Sequence, residues 1–360
     1  MRAATNPNRP LRESQLLVVQ SDPADHAGQR IISSRVQYIG QYLKKGDLLV
    51  VNDSATFPAS LQGQTRSGKK LEIRLLPRRP GVNEWGAALF GEGDWHLRTE
   101  DRPAPPILEV NDEILFSGQL RATIVWVSSQ SQRYVRLRFN FENDRLWQEI
   151  YRTGKPVQYS YLEKELDLWS VQNSYSAKPW ATEMPSAGRA LNWKLLSDLN
   201  HAGIEVVTLT HATGLSSTGD PAFDALLPLP EFYFIPELTA LAIRQAEGRV
   251  IAIGTSVVRA IEGQALQKND LVAGAGQTDL LISGNFTPRY IDGILTGIHD
   301  VGESHFHLLE AFAEKEVLKN ALQIAEKENY LSHEFGDFAL VLSRAPNQVR
   351  AWPRLKVHRD

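Results

Sequence analysis

A short segment in the C-terminal half of the chain combines residue types that bind anions. The chain here reads AIGTSVVRAIE, which predicts a buried strand, a bend at Gly254, Thr255 and Ser256, and then a helix. Free backbone N–H groups at a helix start, together with the helix dipole, form an anion site. Arg259 and Glu262 are three residues apart and therefore share one helix face. The alternative is a Thr/Ser helix cap followed by a surface ion pair.

Three other segments imitate functional motifs without matching them. Residues 63–70 resemble a phosphate-binding loop, but no Ser or Thr follows the Gly-Lys pair, so a β-turn between strands is predicted. Residues 274–276 are expected in a loop before a strand, which is the wrong order for a dinucleotide fingerprint. Four side chains could ligate a metal but follow no recognised ligand pattern, so no metal site is expected: His299, Glu303, His305 and His307.

Composition limits the classes of protein to consider. The 360 residues suggest two domains, and 42% hydrophobic with 22% charged residues is ordinary for a globular protein. Cysteine is absent, which excludes disulfides and thiolate chemistry. No apolar run approaches the ~20 residues of a membrane helix, and residues 1–10 lack the apolar core of a signal peptide. A cytoplasmic protein with no membrane partner is therefore expected.

The charge balance gives only weak support for a nucleic-acid partner. The net charge is −3 and the pI about 6.3, whereas nucleic-acid binders usually carry a basic footprint. One local cluster is basic, although solvated hairpin ends explain it equally well. Its members are Arg66, Lys69, Lys70, Arg74, Arg78 and Arg79.

The chain contains two kinds of sequence pattern, one for each predicted domain. Residues 1–57 and 151–360 mix helical and strand patterns, which predicts a layered α/β main domain. Residues 58–150 contain short alternating runs separated by turns, which predicts an inserted small antiparallel β-barrel. In the main domain the predicted helices are 36–43, 190–199, 236–247, 256–262 and one or two within 303–326, and the predicted strands are 48–51, 204–209, 249–253, 280–282, 291–295 and 338–342.

Six segments occur in the same order as the motifs of a known family. They are KGDLLVVND at 45–53, PSAG at 185–188, TL at 208–209 followed by Gly214, GTSVVRAIE at 254–262, IDGILT at 291–296 followed by His299, and FGDFAL at 335–340. This ordered set resembles the S-adenosylmethionine:tRNA ribosyltransferase-isomerase family of queuosine synthesis. The resemblance extends over about residues 12–342 and implies a common fold.

The resemblance implies a particular reaction. The family transfers and isomerises the ribosyl part of S-adenosylmethionine onto the aminomethyl group of 7-aminomethyl-7-deazaguanine in tRNA, and adenine and methionine leave. Such a reaction requires a base to remove a proton beside the sulfonium, an acid for the departing adenine, a neutral amine and a dry pocket. No metal is needed, because the sulfonium is already the electrophile and the leaving group.

The resemblance also implies site residues by position. Glu231, Asp292 and His299 are the acid/base candidates, with the assignment of acid and base left open. Arg259 is expected to bind the methionine carboxylate. A structural hydrogen-bonding role remains the alternative for each residue. The positions implied in S-adenosylmethionine binding are Asp53, Ser186, Gly254, Thr255, Ser256, Arg259, Glu262 and Asp337.

The chain departs from the family pattern at six positions. Arginines are replaced by Gln15 and Ser60, histidines are absent at Ala190, Thr210 and Leu229, and the lysine of segment 296–304 is missing. Because such residues bind anions and move protons near neutral pH, their loss predicts a retained scaffold with a rebuilt pocket. The alternatives are therefore S-adenosylmethionine chemistry with a small-molecule acceptor or simple cleavage, or a non-catalytic protein that binds a nucleoside or a protein partner. Oligomeric state is not predicted.

Overall fold

The computed structural model describes residues 1–21, 29–77 and 84–343. Within these ranges the strands form a closed barrel, a large mixed sheet and two short strand pairs. The strands are β1 Arg2–Ala3, β2 Gln15–Ser21, β3 Gln29–Arg35, β4 Leu48–Asn52, β5 Ser54–Thr56, β6 Ser60–Thr65, β7 Lys70–Leu75, β8 Glu84–Phe90, β9 Glu113–Phe116, β10 Arg121–Val127, β11 Tyr134–Phe139, β12 Lys178–Ala181, β13 Glu205–His211, β14 Glu231–Ile235, β15 Val250–Ile253, β16 Gly274–Thr278, β17 Gly293–Gly297, β18 Leu331–Ser332 and β19 Phe338–Leu342.

Helices connect the strands of the large sheet. The α-helices are α1 Asn143–Thr153, α2 Trp193–His201, α3 Pro221–Asp224, α4 Glu237–Gln245, α5 Thr255–Lys268, α6 Ser304–Leu309 and α7 Lys315–Lys327. Five 3₁₀ helices cover Leu11–Glu13, Val36–Tyr42, Thr99–Asp101, Leu168–Val171 and Ser186–Ala190 within the same described ranges. None of the described helices is long and apolar enough to span a membrane.

The large sheet has nine strands and a parallel centre. Its order is β16-β14-β13-β4-β15-β17-β19-β2-β3, and β13, β4, β15 and β17 run parallel to their neighbours in that block. Every residue of β4 and β15 is buried. Such continuous apolar runs are typical of strands that are covered on both faces. The carboxyl ends of the four central strands consequently meet at one edge of the sheet.

Two apolar clusters cover the two faces of this sheet. Helices α4, α5, α6 and α7 contribute to the first cluster, and α2 with the 3₁₀ helices Val36–Tyr42 and Ser186–Ala190 contributes to the second. The arrangement is a sheet between helical layers. The α/β class predicted for the main domain is confirmed.

The barrel closes from six antiparallel strands in the order β10-β11-β8-β7-β6-β9. It has its own core, in which Trp85 packs edge-to-face against Phe57 and Trp147. Residues 66–69 form the turn between β6 and β7, so the segment that imitates a phosphate loop is a hairpin turn, as predicted. The predicted inserted antiparallel barrel is confirmed.

Several predicted elements differ from the structure. Residues 280–282 are not a strand, and residues 274–276 lie in β16 instead of a loop. Sequence patterns missed β16 because glycines weaken a strand signal. At Gly276 the missing side chain has a cause, since a Cβ there would lie 2.2 Å from the Tyr233 hydroxyl. The segment 303–326 forms two helices, and β2, β3, β6 and β14 were not predicted.

Candidate active site at the carboxyl edge of the sheet

Strand ends bring most of the predicted site residues to one edge of the sheet. Asn52 ends β4 and Asp53 follows it, His211 ends β13, Gly254 follows β15, and Thr296 is near the end of β17. In open α/β sheets, ligands bind outside the carboxyl ends of the strands. We call this region the carboxyl edge.

The bend at Gly254 is the start of helix α5. Gly254 has a φ of 96°, donates its N–H to the Leu295 carbonyl at 2.8 Å and gives no side-chain cap to the helix. This left-handed conformation favours glycine. A Cβ at Gly254 would lie 3.4 Å from the Cβ of Ala187, so the 3₁₀ helix that contains Ser186 packs against the bend. The 3₁₀ helix that starts at Ser186 therefore lies against the start of α5, which contains Thr255 and Ser256.

A buried polar cluster lies beside this bend. The Arg259 Nη1 atom is 2.7 Å from Glu231 Oε2, and Glu231 Oε2 is 3.5 Å from His211 Nε2. Arg259 also donates from Nε to the Leu280 carbonyl, and Glu231 Oε1 accepts the Gly214 N–H at 2.9 Å. His211 is fully buried. We call His211, Glu231 and Arg259 the buried triad.

The buried triad contains polar atoms with unused hydrogen-bonding capacity. Both ring nitrogens of His211 and the Arg259 Nη2 atom have no hydrogen-bond partner among the described residues. Native proteins leave few such atoms, and each one invites an explanation such as a bound group. The orphaned nitrogens fit a substrate that carries anionic or polar atoms.

Burial sets the protonation states in the triad. Desolvation holds the pKa of His211 well below its usual range, and the Arg259 charge lowers it further. Desolvation also raises the pKa of Glu231, while the Arg259 charge and the Gly214 N–H oppose that rise. His211 is therefore a neutral imidazole at pH 7. A carboxylate with a raised pKa is suited to proton transfer, whereas a neutral imidazole with a lowered pKa can accept a proton but holds it only weakly.

Asp53 occupies the neighbouring strand end. Its Oδ1 atom accepts a hydrogen bond from the Thr210 hydroxyl at 2.6 Å. Burial raises the pKa of Asp53, and the Thr210 hydrogen bond and the Lys178 charge oppose the rise. Thr210 stands where the family has a histidine, and His211 follows it. Successive strand residues point to opposite faces, so the Thr210 hydroxyl lies beside Asp53 and the His211 imidazole lies on the other face, toward Glu231.

His299 lies on the loop after β17. Its Nε2 atom is 2.9 Å from the Thr296 hydroxyl, and its Nδ1 atom is 3.5 Å from the Glu303 carboxylate. Its ring stacks on His305, with the ring centroids 4.7 Å apart. Burial lowers the pKa of His305 to about 3, with smaller contributions from the charges of His299 and Arg259. The two histidines therefore lie on the triad's side of the carboxyl edge.

Two predicted site residues lie far from this edge. Asp292 precedes β17 at the amino end of the strands, where its Oδ2 atom accepts the Val250 N–H at 2.7 Å. Glu262 lies two turns into α5 and accepts three backbone N–H groups of the loop before β17. Each carboxylate therefore holds its own segment to another segment of the chain through backbone N–H hydrogen bonds. The structure does not bring them to the buried triad.

Asp337 lies at the carboxyl edge but is occupied by backbone contacts. Its oxygens accept the N–H groups of Gln15 and Leu331 and pair with Arg9 at 2.7 Å. Asp337 thereby anchors the turn between β18 and β19. Its carboxylate positions this turn and is not directed to a ligand.

The basic cluster on the barrel does not form a nucleic-acid footprint in the described residues. Arg66 pairs with Glu113, and Lys70 pairs with Glu92, on the surface. Arg74 is buried, and its Nε atom is 2.8 Å from Glu72. Arg78 and Arg79 lie outside the described residues.

Neither a cluster of metal ligands nor a cavity defines a second site among the described residues. In the described ranges no group of three or more His, Asp and Glu side chains could hold a metal ion. An apolar cavity of about 20 Å³ lies behind His299, and a groove of about 460 Å³ lies beside Met1 and Asp300. Neither is lined by the buried triad. The site is therefore defined by its polar groups and strand ends.

Sequence patterns missed several residues of the site. His211 follows Thr210, one of the positions without the expected histidine, and Asn52 falls within the KGDLLVVND segment, but neither pattern assigns these residues to the site. Asn52 binds the His211 backbone and is 3.3 Å from the Ser256 hydroxyl. His305 had no signal beyond a metal pattern that fails. A search for buried polar residues at ends of apolar strands would have found the first two.

A mixed sheet with polar strand ends at one edge, joined to a small barrel, defines an α/β protein with a ligand site at the strand termini. A family model described as "Queuosine biosynthesis protein" matches residues 1–341. The chain belongs to this family.

Relatives with the family activity cover nearly the whole chain. An S-adenosylmethionine:tRNA ribosyltransferase-isomerase of Gloeobacter violaceus is 32% identical, over 95% of this chain and 93% of its own. One of Syntrophotalea carbinolica is 28% identical, over 94% and 96%. A crystal structure of S-adenosylmethionine tRNA ribosyltransferase from Thermotoga maritima shares the fold, with a TM-score of 0.50, 24% identity and coverage of 94% and 96%.

Proposed function

We propose that this chain is an S-adenosylmethionine:tRNA ribosyltransferase-isomerase that acts on 7-aminomethyl-7-deazaguanine in tRNA. Family membership over residues 1–341 and relatives of that name over nearly the full length support the proposal. The alternatives of another acceptor or a non-catalytic protein are not favoured by these comparisons. The cytoplasmic location remains a prediction that agrees with a tRNA substrate.

The buried triad beside the Gly254 bend is the observation that supports the chemistry most directly. The free N–H groups at the start of α5 and the unused Arg259 Nη2 atom suit the methionine carboxylate of S-adenosylmethionine. Glu231 and the neutral His211 are suited to the proton transfers, with His299 as a further acid/base group. Asp53 with Ser186, Thr255 and Ser256 completes the proposed binding surface.

The proposal gives three of the predicted site residues structural roles. Asp292 and Glu262 accept backbone N–H groups at a distance from the carboxyl edge. Asp337 acts only through the turn that it anchors. No metal takes part, because the sulfonium supplies both the electrophile and the leaving group.

The lost basic residues do not contradict this assignment. His211 brings an imidazole to the site from the position next to the expected one. The tRNA partner is part of the proposal, and the net charge of −3 predicts that binding depends on local contacts and not on a broad basic surface.

Adenine release tests the proposal. The protein is incubated with S-adenosylmethionine, with and without tRNA that carries 7-aminomethyl-7-deazaguanine, and adenine is measured by chromatography. We expect release that depends on this tRNA. Glu231→Gln should slow it by about 10²–10⁴-fold, the range for a general acid or base.

Glu237→Gln is the matched control, because Glu237 is an exposed carboxylate at the start of α4. It should leave the rate unchanged. Release without tRNA would indicate simple cleavage or another acceptor. No release under any condition, with S-adenosylmethionine binding absent in calorimetry, would refute the enzyme assignment.

A further inference from the structure

Three aromatic rings form a stack between the barrel and the carboxyl edge. The ring centroids of Tyr159 and Tyr161 are 6.2 Å apart with planes inclined by 12°, and those of Tyr161 and His333 are 4.5 Å apart with planes inclined by 16°. The Arg74 guanidinium covers the Tyr159 end at 5.4 Å from its centroid. His333 is exposed at the other end. We call Tyr159, Tyr161 and His333 the ring stack.

Contacts at both ends place the ring stack next to the proposed active site. The Tyr159 hydroxyl donates to Glu183, whose backbone carbonyl accepts the Thr213 hydroxyl at 2.7 Å. Thr213 directly precedes Gly214, which binds Glu231 of the buried triad. At the other end, His333 lies in the turn that Asp337 anchors at the carboxyl edge.

The backbone holds His333 in an unfavourable conformation. Its φ is 66°, in the left-handed region that few residues other than glycine adopt, with asparagine, aspartate and histidine the commonest exceptions. Gly336 donates its N–H to the His333 carbonyl at 2.9 Å, and Asp337 fixes the same turn. Strained residues of this kind are concentrated at functional sites, where the surrounding structure enforces them. Here the enforced result is an imidazole that stacks on Tyr161.

The residue after His333 adds a hydrogen-bonding group. Glu334 is held by its backbone carbonyl, which accepts from Arg189 at 3.0 Å. Its Oε2 atom is buried and has no hydrogen-bond partner among the described residues. An aromatic face that is open to solvent binds a nucleobase by stacking, and His333 presents such a face at the end of the ring stack.

We propose that the ring stack is a nucleobase-binding site, with a purine-like base stacked on the exposed face of His333. The inference rests on the proposed function, which supplies two sources of such a base. One is the adenine of S-adenosylmethionine, and the other is the 7-aminomethyl-7-deazaguanine of tRNA. The shared chemistry is a flat heterocycle with N–H donors.

Calorimetry with small ligands tests the site without turnover. Adenosine and the free base 7-aminomethyl-7-deazaguanine are titrated separately into the full chain. His333→Asn removes the ring and keeps a residue that tolerates the left-handed conformation. Tyr161→Leu removes the supporting ring, and Tyr161→Phe preserves it. We expect the first two variants to weaken one ligand about 5- to 150-fold, the range for one base–aromatic contact, and Tyr161→Phe to bind like the parent.

A second stacked pair in the chain provides the matched control. Trp95 and His96 stack with centroids 3.8 Å apart on the barrel, and His96 is exposed. His96→Ala should not change binding. Weakened adenosine binding identifies S-adenosylmethionine as the source of the base, and weakened deazaguanine binding identifies tRNA.

Three results would overturn the inference: no binding of either ligand to the parent chain, equal binding by the parent and the ring-stack variants, or an equal loss in His96→Ala. Circular dichroism distinguishes a loss of the site from a loss of the fold. Since the experiment measures binding alone, its failure leaves the adenine-release result standing. Conversely, base binding can persist in a chain that releases no adenine.

Discussion

The Arg259–Glu231 ion pair provides the sharpest prediction, because both charges are buried. The two side chains are 16% and 10% exposed, and their closest atoms are 2.7 Å apart. With an effective dielectric constant of about 20, opposite unit charges this close attract by roughly 4–6 kcal/mol, which desolvation partly offsets. Arg259→Met keeps the apolar length of the side chain and removes its charge.

Removing one partner leaves the other charge buried and unpaired, which costs about 3–5 kcal/mol. We expect Arg259→Met and Glu231→Gln each to lower the free energy of unfolding by about 3 kcal/mol. The double variant has neither charge, so it should lose clearly less than the sum. The coupling energy is then about 2–3 kcal/mol.

The loss in Arg259→Met should also depend on pH. Burial already raises the pKa of Glu231 above its ordinary 4.5, and Arg259 is the strongest group opposing that rise. Without Arg259 the folded-state pKa moves further above the unfolded-state value. Folding then favours the protonated carboxyl, a stabilisation that is present at low pH and is lost as the pH rises through the folded-state pKa. The variant should therefore be damaged less at pH 5 than at pH 8.

Urea unfolding, monitored by circular dichroism at pH 5, 6.5 and 8, measures both effects. The surface pair Lys194–Asp198 is the control cycle, since its atoms are also 2.7 Å apart but its side chains are 83% and 58% exposed. Its coupling energy should stay below about 0.5 kcal/mol. Additive losses at Arg259 and Glu231, or losses independent of pH, would refute the buried-pair argument.

Two further predictions concern the same edge. Burial lowers the pKa of His305 to about 3, so at pH 5 this histidine is neutral in the folded chain but protonated in the unfolded chain. His305→Asn should therefore reduce the loss of stability between pH 8 and pH 5 by about 2 kcal/mol. Parallel urea-unfolding profiles of the variant and the parent would contradict this. Gly254→Ala forces a side chain into a φ of 96° and should weaken S-adenosylmethionine binding in calorimetry at least about tenfold. Gly302→Ala, at a φ of 101° in open space, should cost roughly 1–2 kcal/mol of stability without changing that affinity.

The buried central strands could be predicted because their sequence signal is local. The run Leu48–Val51 is apolar, and turn residues bound it on both sides. The edge strand β16 could not be predicted in this way, because one of its glycines, Gly276, is explained by the neighbouring Tyr233 and not by any pattern within the strand. Likewise the break between α6 and α7 lies in a sequence that is compatible with one continuous helix.

Ordered motifs identified the carboxylates of the family but could not assign their roles. Asp292, Glu262 and Asp337 have the residue type expected of acid/base or binding groups, yet each accepts backbone N–H groups from distant segments. The sequence does not show which N–H groups a carboxylate meets. Strand register does show it, because it decides which end of the sheet a residue occupies.

The displaced histidine shows why a single substitution is a poor guide to a lost activity. Thr210 removes an imidazole from one face of β13, and His211 supplies one on the opposite face, where it meets Glu231. The two positions are adjacent in sequence, but their side chains lie on opposite faces of the strand. A position-by-position comparison therefore records the missing histidine at position 210 but not the imidazole that His211 places beside Glu231. If this imidazole moves protons in the reaction, His211→Gln should abolish adenine release while Thr210→Val, which removes only a hydroxyl, leaves most of it.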